Sequence, residues 1–249
     1  NETIKKSEPV YNFTSNDGIR HEVWILPNEY ADIVTSEIGK VKNLYIADGH
    51  HRAASASRAQ KVKMEQNSNH TGEEEYNYFL GVLFPAEQLK ILPYNRAVHD
   101  LQMKKNELLK KIKMNFSVEE TDSPNPPALK TFAMYIDNKW YLLKPNENIK
   151  TGTTVVDKLD VSILQNYLLQ PFLEIEDQRT DTNIDFIGGI RGTEELEKLV
   201  DKGKAAVAFS MFPVSVNDLI NISDAGETMP PKSTWFEPKL RDGLLVHVI

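Results

Sequence analysis

Asp48, Gly49, His50, His51 and Arg52 are consecutive in the run LYIADGHHRAASASRAQ, residues 44–60. Apolar Leu44 to Ala47 reads as a short strand, and an alanine-rich helix follows from about Arg52 to Gln66. The first backbone N–H groups of a helix have no partner within it, so such a junction can hold an anion. The Arg52 guanidinium would add a fork of donors matched to phosphate oxygens. Asp48 can act as a base, orient a histidine or hold Mg²⁺. The competing reading is a plain capped junction, with Asp48 accepting local N–H bonds and both histidines structural. Zinc is disfavoured, because adjacent histidines converge poorly on one ion and no HExxH spacing occurs.

Three later segments carry further candidates. Gly188, Gly189, Ile190, Arg191 and Gly192 again lie between a strand and a helix. The glycines permit close backbone approach, and Arg191 could meet a charged group. The segment lacks both GxGxxG and GK[ST], so neither a dinucleotide fingerprint nor a P-loop is present. PPKSTWFEPK, residues 230–239, offers Lys232, Ser233 and Thr234 beside the anchors Trp235 and Phe236. Arg179 could pair with Asp185 or meet a ligand, but a surface ion pair is the favoured reading.

The elements that must position these residues follow from pattern and punctuation. VYNFT and HEVWIL around Asn16, Asp17 and Gly18 predict a hairpin over 10–26. A short helix is expected at 29–40, a buried strand at 76–84, a strand and turn within 89–101, and a helix at 104–116. Two strands should flank Asp137-Asn138, and Asp160 should cap a helix through VSILQNYLLQPFL. Strands are expected at 184–188 and 205–212. Thr193 should cap one helix, and Ser215 with Asp218 should form a capping box on another. A last strand is expected at 243–249. Mixed strands and helices predict an α+β fold. Prolines 124, 126 and 127 mark a linker, 119–130, between a part at 1–118 and a part at 131–249, which could equally form one unit.

Composition narrows the chemistry. The 249 residues include 29 basic and 36 acidic side chains, for a net charge of −7, with no basic stripe to attract nucleic acid. The sequence has no cysteine, which excludes thiolate catalysis and disulfides and fits a cytoplasmic location. No apolar run is long enough to span a bilayer. A small molecule is the expected partner; oligomeric state is not legible.

LYIADGHHRAASA, LPYNRAVHDL, RTDTNIDFIGGIRG and DAGETMPPKSTWFEPKLRDGLLVH together resemble the domain of unknown function 1015 family along nearly the whole chain. The resemblance implies the C-terminal part of a longer protein. More distantly, DGHHR is similar to the Asp-Gly-His-x-Arg motif of free-serine kinases in the ParB/sulfiredoxin-like fold. That likeness implies a core built around the DGHHR junction, with Asp48 to Arg52 at nucleotide phosphates and reacting groups. Sulfiredoxin chemistry is rejected for want of a cysteine. No basic helix like that of the DNA-partition proteins stands out.

The combined expectation is a nucleotide-dependent phosphotransferase for a small hydroxylated metabolite such as free serine, using ATP or ADP with Mg²⁺. Asp48 and His51 would be the catalytic pair, with Asp48 also the metal ligand. Gly49, His50, Arg52, Arg191, Lys232, Ser233 and Thr234 would hold the cofactor. The alternative is a non-catalytic regulator that binds a nucleotide or phosphorylated amino acid. A hydrolase would need a two-metal carboxylate cluster or a placed water, neither of which the sequence identifies.

Overall fold

The segments at 94–98, 132–136 and 207–211 form inner strands of one antiparallel sheet. A computed structural model describes residues 7–249. The chain divides into two compact units at Ile46/Ala47.

Within the first unit, β1 (Tyr11–Thr14) and β2 (Arg20–Val23) form the expected hairpin. Asp17 accepts the Ile19 N–H, and Gly18 takes φ +81°, which suits glycine. Phe13 stacks on His21 across the pair, 5.1 Å between rings. Helix α1 (Asn28–Ile38) starts just after Pro27.

The second unit contains α2 (His50–Gln66), β3 (Lys90–Leu92), β4 (Tyr94–Val98), α3 (Lys105–Asn115) and β5 (Phe116–Thr121). Strands β6 (Phe132–Ile136) and β7 (Lys139–Pro145) turn at Asp137-Asn138, both at positive φ. Then come α4 (Asp160–Leu164), a π-helical segment (Gln165–Leu169) and α5 (Gln170–Leu173). After these lie β8 (Ile184–Gly188), α6 (Glu194–Asp201), β9 (Val207–Met211), α7 (Val216–Asp224) and β10 (Trp235–Glu237). The main sheet runs β5-β7-β6-β9-β4-β8, and β10 pairs with β3. It takes strands from both sides of the proline-bearing segment at 119–130, whose first residues extend β5.

Alternation along each strand sorts side chains between two cores. Val98, Phe132, Met134, Val207 and Phe209 face the larger one, with Leu108 and Ile112 of α3, Leu164 and Phe172 of the α4–α5 run, and Ile222 of α7. Ala97, Ala133 and Ala208 face the other, where Leu196 of α6 packs. Small side chains there let α6 approach the sheet. Tyr135 donates to Asp201 (3.0 Å) and Trp140 to Glu197 (2.8 Å), which pins that helix at two points.

The expected α+β character appears as mixed α and β structure with several sheets and helices. Three expected strands are absent. Residues 44–47, 76–84 and 243–249 form no ladder, and Leu44, Phe79, Leu80, Val82, Leu83 and Val246 are exposed. An apolar run becomes a strand only when a neighbouring edge meets its N–H and C=O groups, and periodicity does not reveal that edge. Thr193 also departs from expectation. Its backbone is already helical, and its side chain caps nothing. The capping box of Ser215 and Asp218 is present. Arg179 pairs with Asp177 (2.8 Å), while His99 faces Asp185 (3.3 Å).

Candidate functional site

Helix α2 starts with no strand before it and with Gly49 in the left-handed region, at φ +94°. No side chain caps its first turn, and that turn contains no acidic residue. His50, His51 and Arg52 stand there instead, all exposed. The Arg52 cation opposes the macrodipole at this end. The Arg52 side chain folds back over the turn, so a Cβ on Gly49 would lie 3.2 Å from its guanidinium. Its Nη1 also reaches Asp242 at 3.2 Å.

Asp48 lies immediately before this turn. One carboxylate oxygen accepts the Gly49 N–H (2.8 Å), and the other accepts from Lys239 Nζ (3.0 Å). The hydrogen bond from Lys239 chiefly holds the Asp48 carboxyl below the usual range, against partial burial, with help from the Gly49 N–H and Arg52. Asp48 is therefore ionised at neutral pH, with its side chain 57% exposed.

Lys239 connects this junction to the later segments. Its ammonium lies over Trp235, 5.1 Å from the ring centroid. Trp235 meets Tyr94 edge to face (5.5 Å), and Lys232 lies over the Tyr94 ring at 5.4 Å. Trp235 also covers Gly188, where a Cβ would come within 2.5 Å of the indole. Gly189 donates to the Pro93 carbonyl (2.8 Å), and its own Cβ would lie 2.8 Å from that oxygen. Residues 188–189 and 232–239 thus meet around β3, Pro93 and the start of β4, and Lys239 joins Asp48 to them.

The individual candidates occupy different positions in this cluster. Lys232 is exposed at φ +53°. Ser233 is buried, and its hydroxyl donates to Pro230 (2.7 Å), so it closes the loop. Thr234 is half-buried, and Arg191 is exposed on the short turn before α6. Sequence reasoning gave no role to Lys239, Asp242 or Tyr94, although Lys239 is the last residue of the PPKSTWFEPK motif and Asp242 follows three residues on. Among the described residues, no three His, Asp or Glu side chains converge as a metal cage. A nucleotide-bound Mg²⁺ commonly takes only one or two carboxylates plus phosphate oxygens, a demand that Asp48 fits.

The family described as "Protein of unknown function (DUF1015)" matches residues 1–162. No curated protein matches the sequence. Solved structures with some similarity include a free serine kinase in complex with AMP, at 16% identity and TM-score 0.41, over 85% of this chain and 80% of that one. A variant free serine kinase in complex with ADP gives 17% and 0.40, over 85% and 81%. A conserved hypothetical protein from Pyrococcus furiosus gives 16% and 0.41, over 84% and 82%. Likeness of this order assigns no activity. Among the described residues, no helix is long and apolar enough to cross a membrane.

Proposed function

The chain belongs to the DUF1015 family, and we propose that it is a cytoplasmic, nucleotide-dependent phosphotransferase acting on a small hydroxylated metabolite such as free serine. The observation that carries this reading is the start of α2: an uncapped, basic first turn with an ionised carboxylate held beside it by Lys239. The DGHHR sequence, which resembles that of free-serine kinases, supports it.

Phosphoryl transfer needs positioning and neutralised charge more than covalent chemistry from the protein. The N–H groups of His50, His51 and Arg52 would face the phosphates, and the Arg52 guanidinium would take oxygens in exchange for its exposed contact to Asp242. Asp48 would accept the proton of the attacking hydroxyl, with Lys239 keeping it ionised between turnovers. His51 would make a second polar contact to the transferring group. Lys232, Thr234 and Arg191 would close the site over the nucleotide. Alternatively, Asp48 would hold a Mg²⁺ bound to the phosphates, which would supply charge neutralisation.

The test incubates the protein with ATP, ADP or CTP, Mg²⁺, and L-serine or related hydroxy acids, and follows phosphorylated product. Product formation lost in Asp48→Ala supports the phosphotransferase. Nucleotide binding without turnover across the panel favours the regulator, which would use the same exposed anion site without a base.

A further inference from the structure

Arg96 lies in β4 and is 1% exposed. Across the ladder it faces Phe186 of β8 and Phe209 of β9. Its guanidinium lies over the Phe186 ring, 5.3 Å from the centroid. Nη1 donates to the Tyr94 carbonyl. Nε and Nη2 are buried and meet no acceptor. Burial alone pulls the group down to about 9, so it remains a cation at neutral pH. A buried donor left unpaired costs about 1–3 kcal/mol, and more for a charged one, so a pair of them calls for an explanation.

Arg179 shows what this edge of a guanidinium takes when it is met. Its Nε and Nη2 grip the Asp177 carboxylate at 3.0 and 2.8 Å. In Arg96 the same two donors are presented inside apolar walls, where a charge-assisted pair is stronger than in water. The location links this edge to the loop cluster. Tyr94 is two residues away on the same face of β4, about 7 Å along the strand. It has Lys232 over its ring and Trp235 against its edge.

We propose that Arg96 is the receptor for the carboxylate of a small metabolite, held bidentately by Nε and Nη2. Only the class of metabolite, a small amino or hydroxy acid, rests on the phosphotransferase reading; the receptor edge stands on its own geometry. The planar fork fits a carboxylate, and a phosphate could offer the same pair of oxygens, so the probes separate the two.

Thermal unfolding of the full chain is followed with L-serine, L-serinamide, inorganic phosphate and ADP. L-serine is expected to raise the midpoint in the wild type, and serinamide, which lacks the carboxylate, is not. Arg96→Met removes an unpartnered buried cation, so it should fold at least as stably as the wild type. It should bind L-serine at least tenfold more weakly and keep its response to ADP. Arg96→Lys retains the charge without the fork and should show the same loss, a second route should the methionine variant fail to fold. An undiminished L-serine response in both variants overturns the proposal. An Arg96-dependent response to inorganic phosphate with none to L-serine overturns the carboxylate assignment. An Arg96-dependent response to L-serine without any to ADP upholds the receptor and contradicts the nucleotide-dependent reading.

Discussion

Helices α2 and α7 satisfy their N-terminal ends in opposite ways. The α7 start has its own acid: Ser215 accepts the Asp218 N–H (3.0 Å) and Asp218 accepts the Ser215 N–H (3.0 Å). Helix α6 has Glu194, Glu195 and Glu197 in its first turn. At both, the positive end of the dipole is locally answered, and at α7 the first N–H groups are capped as well. The α2 start has a left-handed glycine, two histidines and an arginine, with no cap. Two ends carry acids in their first turns, and the third carries none. Glycines just ahead of helical segments therefore do not share one meaning here. Gly49 answers a backbone torsion, while Gly188 makes room for Trp235.

The largest expected effect falls on chemistry at the open end. Asp48→Ala should lower phosphotransfer at least about a hundredfold, the usual scale for losing a general base. Its ADP affinity should stay within about fivefold, as read by turnover assay and calorimetry. An equal fall in both would make Asp48 a binding group.

Asp160 opens α4 in a third way, and its signature is pH dependence. Both its oxygens accept the Lys130 N–H at 2.9 Å, yet burial dominates and pushes the carboxyl up to about 6. The folded state then binds the proton more tightly than the unfolded one. Its contribution is present at low pH and is lost as pH rises from the unfolded value of 3.8 through about 6, a fall of roughly 2–3 kcal/mol. Asp160→Asn should flatten that slope in denaturant titrations at several pH values. Asp48, with its carboxyl lowered, acts oppositely: its stabilisation is present at neutral pH and disappears as pH falls through its folded value.

Gly188→Ala would press a methyl group into the Trp235 indole. It should cost about 1–3 kcal/mol, the overpacking range, in the denaturation midpoint. Ser215→Ala should cost about 1 kcal/mol through the lost cap and leave ADP binding unchanged. A loss of ADP affinity there would blur the contrast between α7 and α2.

The central strands of the main sheet were legible because Phe132–Ile136 and Val207–Met211 are continuous apolar runs with turn residues nearby. The capping box was legible because its two residues are three apart. The runs at 44–47 and 76–84 misled because strand formation depends on a partner edge that local pattern does not encode. DGHHR was legible as a concentration of chemical groups. Its connection to Lys239 and Asp242 spans about 190 residues of chain, so only the fold reveals it. Arg96 escaped because a lone arginine in a strand reads as an ordinary surface position, and its burial follows from where β4 lies in the sheet.

The most direct test of the open α2 end is calorimetric titration of ADP into the wild type, His51→Glu and Ser215→Ala. His51→Glu gives α2 the acidic first turn that α6 already has. The account predicts that it binds ADP at least tenfold more weakly than the wild type while unfolding at the same or a higher temperature, and that Ser215→Ala binds like the wild type. Equal ADP affinity in the wild type and His51→Glu, or no ADP binding by the wild type, would contradict it.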